Sequence, residues 1–275
     1  GQRRDEKRRM TERKIQVGDI VLNTRVEGRS DAPWVTFCNS LATDLTMYDA
    51  QAAALAGDYR ILRYDRRGHG GSETPDGPYS WDQMVNDVVG LWDALGIEKS
   101  HYVGLSMGGM SGIGVSLKCP ERMLSLSACD CRADAPEFFR DMWNTRQAGV
   151  VENGMASVVD MTLATWFTEA RLAEGGDLIE RVREMILGTS VSGYMGCTEA
   201  LKQLDYKRSL DDIKVRTQFI VGANDGPHPD EMAAMSALVP GSALHVIESA
   251  AHLSNMEQPE AFTGLIKGFL NEGGS

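Results

Sequence analysis

The stretch His101-Tyr102-Val103-Gly104-Leu105-Ser106-Met107-Gly108-Gly109-Met110 organises the reading of this chain. His101–Leu105 reads as a strand, and the small residues from Met107 to Lys118 read as a helix ending near Cys119-Pro120. Between them lies Gly104-Leu105-Ser106-Met107-Gly108, a G-x-S-x-G pattern in strand–turn–helix context. A turn this tight forces Ser106 into a strained backbone conformation. Side chains two residues to either side would clash, so glycine stands at both positions. The Ser106 hydroxyl is then expected above a sheet edge, at the positive end of a helix.

Working outward, Lys14–Val17 and Ile20–Arg25 read as a hairpin turning at Gly18-Asp19. Trp34–Cys38, Arg60–Tyr64, Leu124–Ala128, Arg216–Val221 and Ala243–Glu248 read as further strands. Thr46–Leu55, Trp81–Leu95, Asp230–Leu238 and Glu260–Leu270 read as the intervening helices. This alternation implies an α/β fold with a mostly parallel, eight-stranded sheet. It breaks between Ala133 and Lys207, where Phe138–Gln147, Ala156–Thr168, Leu178–Leu187 and Ser192–Leu204 read as helices without a strand. The expected organisation is a core of 15–132 and 211–275, with a helical cap (133–210) over the strand ends. Open α/β sheets bind their ligands at that edge.

The chain has 275 residues, 42% hydrophobic and 24% charged, an ordinary globular balance that excludes wholesale disorder. A formal charge of −11 argues against nucleic acid as a partner. Apolar runs are too short to span a bilayer. Residues 1–14 go against the acidic trend, with seven basic side chains against three acidic ones. This arm is expected to be a solvated terminus or an expression remnant, and it has no secretory apolar segment. Five cysteines, an odd number, are expected as buried free thiols in a reducing cytoplasm. Cys129 and Cys131 stand too close together for a usual zinc site, and no metal is expected.

A serine hydroxyl needs a base. Of the five histidines, His252 follows the last strand, in Ser249-Ala250-Ala251-His252-Leu253, and its loop opens on the same edge as Ser106. The base needs an orienting carboxylate. Asp225 follows the strand Arg216–Val221 and is favoured, with Asp130, after Leu124–Ala128, as the alternative acid. An oxyanion would need two N–H donors, expected from Met107 and from Leu41 in the loop after Trp34–Cys38.

These stretches resemble a known family. Asn39-Ser40-Leu41-Ala42-Thr43-Asp44-Leu45, Tyr64-Asp65-Arg66-Arg67-Gly68-His69-Gly70, the serine turn and Ala251-His252-Leu253-Ser254-Asn255-Met256-Glu257-Gln258-Pro259-Glu260 are similar to the 3-oxoadipate enol-lactone hydrolases, α/β-hydrolases of aromatic catabolism. The resemblance runs from about residue 15 to 271. It implies an α/β-hydrolase fold with an inserted cap and the roles above for Ser106, Asp225, His252, Leu41 and Met107. The chain departs from the family at Ala42, where glycine is usual, at Asp225-Gly226-Pro227-His228, and at Cys129-Asp130-Cys131-Arg132-Ala133-Asp134.

The expected activity is cofactor-free hydrolysis of a small lactone or carboxylic ester through an acyl-enzyme. Another activity on the same residues (carboxylesterase, C–C bond hydrolase, cofactor-free lyase or peroxidase-like) is the alternative. A ligand receptor on the same fold is the reading from a different class. Arg132, Trp143 and Arg146 are candidate substrate-binding residues by position. A small-molecule substrate is the expected partner, with no membrane and with homo-oligomerisation allowed.

Overall fold

The computed structural model describes residues 12–273. Its single sheet contains β1 (Glu12–Val17), β2 (Ile20–Gly28), β3 (Trp34–Cys38), β4 (Arg60–Tyr64), β5 (Ser100–Leu105), β6 (Met123–Cys129), β7 (Thr217–Gly222) and β8 (Ala243–Ile247). The strand order is β1-β2-β4-β3-β5-β6-β7-β8. β1 and β2 form an antiparallel hairpin, β2 runs antiparallel to β4, and β3 to β8 are parallel. The strand begins at Glu12, so Glu12, Arg13 and Lys14 belong to the sheet and not to a terminal arm. Residues 1–11 of that arm lie outside the described residues.

The core helices are α1 (Asp49–Leu55), α2 (Trp81–Ala94) and α3 (Met107–Lys118). From β3 to β4 the chain steps one way across the sheet, and from β4 to β5 it steps back over β3. Right-handed crossovers therefore put α1 and α2 on opposite faces. β3 and β5 flank this reversal, and the crevice beyond their carboxyl ends is where such sheets take ligands. Asn39 and Ser106 emerge there.

Between β6 and β7 come α4 (Glu137–Asn153), α5 (Val159–Trp166), α6 (Glu169–Glu174), α7 (Asp177–Gly188) and α8 (Val191–Lys202). The helix expected to end at Gln147 continues to Asn153, where Gly154 at φ +76° stops it. The helix expected over Ala156–Thr168 is a 3₁₀ turn, Met155–Val158, followed by α5, and α6 was not anticipated. The chain closes with α9 (His228–Leu238), β8, α10 (Ser254–Glu257) and α11 (Pro259–Glu272). α11 packs on α1, and α2 on α3. No helix among the described residues is long and apolar enough to cross a membrane.

The glycine-rich loop after β4 braces the crevice. The Arg66 backbone N–H donates to Asn39 Oδ1, and its Nε donates to Asn39 O, both at 2.9 Å. Asp65 accepts from Asn23 Nδ2 (3.0 Å), Leu45 N–H (2.7 Å) and Gly71 N–H (2.9 Å). His69 is buried. Its Nδ1 faces Arg67 O at 3.2 Å, which assigns the proton there, and its Nε2 accepts the Ala42 N–H at 2.9 Å. Ala42 sits at φ +57°, a left-handed conformation costing an L-residue about 1–2 kcal/mol, which accounts for the family's glycine there.

Two outcomes follow. A Cβ on Gly108 would lie 2.0 Å from the Cys38 carbonyl oxygen, so Gly108→Ala should lower unfolding free energy in urea by about 3 kcal/mol. Burial, then the charge of Arg66, push the His69 imidazole down to about 3, against an ordinary value near 6.5. The unfolded chain therefore takes a proton below pH 6.5 that the folded chain refuses until about pH 3. His69 alone should cost up to about 5 kcal/mol of stability across that window. Burial pushes His101 down to about 4, which acts in the same direction. Urea unfolding at neutral and mildly acid pH should show a smaller acid loss for His69→Gln than for the parent.

Candidate active site

Ser106 links β5 to α3 with φ 56° and ψ −118°, outside the regions L-residues favour. Its N–H is anchored on Cys129 O at 2.7 Å. A Cβ at Gly104 would meet the Gly108 carbonyl carbon at 2.2 Å, so the flanking glycines are a steric demand of the turn. Met107 N–H, in the first turn of α3, and Leu41 N–H, beyond β3, have no acceptor among the described residues. Both lie on segments bordering the crevice, where donors to a developing oxyanion belong.

Ser106 and His252 line one cavity. Core residues Ser40, Leu41 and Ala42 form one wall. Trp143, Arg146, Thr162, Trp166, Ile186 and Tyr194 from the inserted helices form the other. The Ser106 hydroxyl has no hydrogen-bond partner among the described residues.

His252 Nδ1 donates to Asp225 Oδ2 at 2.9 Å, which turns Nε2 away from the acid. Burial alone would raise the Asp225 carboxyl, but His252 and His228 outweigh it and hold it well below the usual carboxylate range. Asp130, the alternative acid, is fully buried beside Asp225 and does not bond His252. Its Oδ2 accepts Gly222 N–H (2.9 Å) and its Oδ1 accepts the Ser254 hydroxyl (2.6 Å). Burial, reinforced by the charge of Asp225, pushes its carboxyl well above the usual range. Asp130 thus ties the β7 loop to the His252 loop.

The other residues of the His252 motif form the same kind of brace. Asn255 Nδ2 donates to Met47 O at 2.8 Å and to Gln51 Oε1 at 3.1 Å. Glu257 accepts the Ala251 N–H (3.0 Å) and the Thr168 hydroxyl (2.6 Å). Gln258 Nε2 donates to Ser249 O at 2.9 Å.

The three candidate substrate-binding residues separate. Arg132 does not line the cavity. It pairs with Asp134 (2.9 Å) and stacks over Phe138 and Phe139. Trp143 and Arg146 line the cavity, with the guanidinium 4.9 Å from the indole centroid. Trp143 Nε1 and Arg146 Nε are buried with no hydrogen-bond partner, and Arg146 joins no ion pair among the described residues. Burial lowers the Arg146 pKa.

His228 is the residue that sequence reasoning missed. Its Nδ1 lies 3.1 Å from Asp225 O and 3.3 Å from Asp225 Oδ1, and its ring centroid is 5.4 Å from that of His252. Its place three residues after Asp225, in the loop where the chain departs from its relatives, was the available signal.

Residues 29–265 match the alpha/beta hydrolase family. The 3-oxoadipate enol-lactonase 2 of Acinetobacter baylyi is 33% identical over 256 residues, covering 92% of this chain and 94% of the relative. The crystal structure of the enol-lactonase from Burkholderia xenovorans LB400 superposes with a TM-score of 0.91 at 32% identity, covering 94% of this chain and all of that one. A thermophilic esterase from Thermogutta terrifontis, with malate bound, gives 0.90 at 28% identity, covering 96% and 99%. The chain belongs to the alpha/beta hydrolase family, with its enol-lactonase relatives alike in sequence and fold.

Proposed function

We propose that this chain is a serine hydrolase of a small lactone or ester that carries a free carboxylate, most like 3-oxoadipate enol-lactone. The observation that carries this reading is one cavity that combines a strained serine, an Asp-held imidazole and a cation with no ion-pair partner among the described residues. A buried charge is tolerated at such a site when a ligand's opposite charge offsets its desolvation. In a protein of net charge −11, Arg146 is a specific receiver for a carboxylate, and Trp143 Nε1 is a second donor beside it. The malate-bound neighbour and the enol-lactonase relatives support the same substrate class.

In this mechanism Ser106 attacks the ring carbonyl while His252 Nε2 takes its proton. Asp225 steadies the imidazolium, and the Leu41 and Met107 amides hold the oxyanion. The leaving enol takes the proton back, and water activated by His252 frees the acid. In this reading the Ser106–His252 hydrogen bond forms when substrate fills the cavity. The reading assigns the enzyme to aromatic catabolism in the cytoplasm, a setting the five free thiols support.

Turnover of 3-oxoadipate enol-lactone and fluorophosphonate labelling of Ser106 test the reading, and Ser106→Ala should lose both. Asp225→Asn should lower kcat by about 10⁴-fold through the wrong His252 tautomer, whereas Asp130→Asn should retain most activity. Equal losses in the two variants would remove Asp225 from its assigned role. Arg146→Ala should raise KM at least about tenfold for the carboxylate-bearing lactone and leave a neutral ester such as p-nitrophenyl acetate little changed.

A further inference from the structure

We propose that Asp225, His228 and His252 bind one zinc-class divalent cation, and that its arrival switches the hydrolase off. The binding rests on geometry, and only the effect on turnover rests on the functional reading above. One donor atom from each residue lies within 4.8 Å of the other two. His252 Nδ1 is 2.9 Å from one Asp225 oxygen, and His228 Nδ1 is 3.3 Å from the other. Ligands bound at about 2.0–2.1 Å in a tetrahedral zinc site stand about 3.3 Å from each other, so small side-chain adjustments close the site. Two imidazoles and a carboxylate suit Zn²⁺ or Co²⁺, whereas Mg²⁺ and Ca²⁺ demand oxygen ligands. Three protein ligands leave a fourth position for water. The His228 side chain is 20% exposed against 3% for Asp225, so an ion reaches the carboxylate past that ring.

The consequence lies in the tautomer. Each Nδ1 now carries the proton it donates to Asp225. To bind a cation, each ring moves that proton to Nε2 and stays neutral, so no net proton is released. In His252 the proton then occupies the nitrogen that must accept the one from Ser106, and the metal takes the carboxylate that would steady an imidazolium. Nucleophile activation stops while the cavity and Arg146 remain intact.

The test adds Co²⁺ to the Ser106→Ala protein and Zn²⁺ to the active enzyme. The visible band of tetrahedral Co²⁺ should form in wild type and Ser106→Ala, and be absent from His228→Gln and Asp225→Asn. Zn²⁺ should inhibit wild-type turnover reversibly with EDTA, and Mg²⁺ should not. His228→Gln should need about tenfold more Zn²⁺ or higher for the same fractional inhibition. Long-range ¹H–¹⁵N spectra of the wild type with Zn²⁺ should shift Nδ1 in two histidines, a readout that needs no variant to fold. Failure of that shift, a Co²⁺ band that survives His228→Gln, or equal Zn²⁺ sensitivity in the variant overturns the proposal. Absence of fluorophosphonate labelling in the metal-free wild type, with the Co²⁺ band still forming when cobalt is added, would instead overturn the hydrolase reading and leave the cation site standing.

Discussion

The backbone of Ser106 is the constraint on which the rest of the site depends. Holding an L-residue at φ 56° and ψ −118° costs of order 1–3 kcal/mol, and it persists only because its surroundings leave no alternative. β5 is buried along its whole length between β3 and β6, so the strand cannot slide. The Ser106 N–H is held by β6, and α3 presses Gly108 against the Cys38 carbonyl at the end of β3. Three strands and a helix thus fix one residue. The strain lifts a hydroxyl out of the sheet and aims the first amides of α3 at the same space.

Much of this was legible along the chain. The eight strands, and Ser106, His252 and Asp225 at strand ends, are visible because backbone geometry and alternation leave local marks. Helix limits in the inserted segment were less legible. There Gly154 and the extended Phe167 break one apolar pattern into pieces, and packing rather than propensity decides where each ends. The polar partners were not legible. Asp130 and Asp225 both follow parallel strands, and only the fold tells that one faces an imidazole while the other faces Gly222 and Ser254. Arg132 and Arg146 look equivalent in sequence. In the folded chain one is neutralised by Asp134 two residues away, and the other lines the cavity over the Trp143 ring with no acidic partner among the described residues.

The same hydrogen bonds, buried for Ser254 and Asn255, explain why the long motif around His252 has the residues it has. Ser254, Asn255, Glu257 and Gln258 are not spread over the surface. They reach respectively to the β6 loop, to the segment before α1, to the inserted helices and to the end of their own loop. Buried side-chain hydrogen bonds of this kind contribute about 1 kcal/mol each when made, and cost more when one partner is removed. Their main effect is to allow the imidazole a single position.

Glu257 also couples the inserted helices to the His252 loop. It accepts from Ala251, immediately before His252, and from Thr168 at the start of α6, while the Leu253 N–H donates to Trp166 O at the end of α5. Trp166 lines the cavity, with its ring 6.4 Å from that of His252. Moving α5 away from the sheet would therefore break bonds on both sides of the His252 imidazole. A cap attached in this way cannot open widely at α5 without disturbing His252. The side remote from that attachment, where Trp143, Arg146 and Tyr194 face the cavity from α4 and α8, carries no such tie to the His252 loop among the described residues. α4 and α8 are tied instead to each other, with Gln147 Nε2 donating to Thr198 Oγ1 at 2.9 Å and to Glu199 Oε1 at 3.0 Å, so this half of the inserted segment holds together independently of the His252 loop.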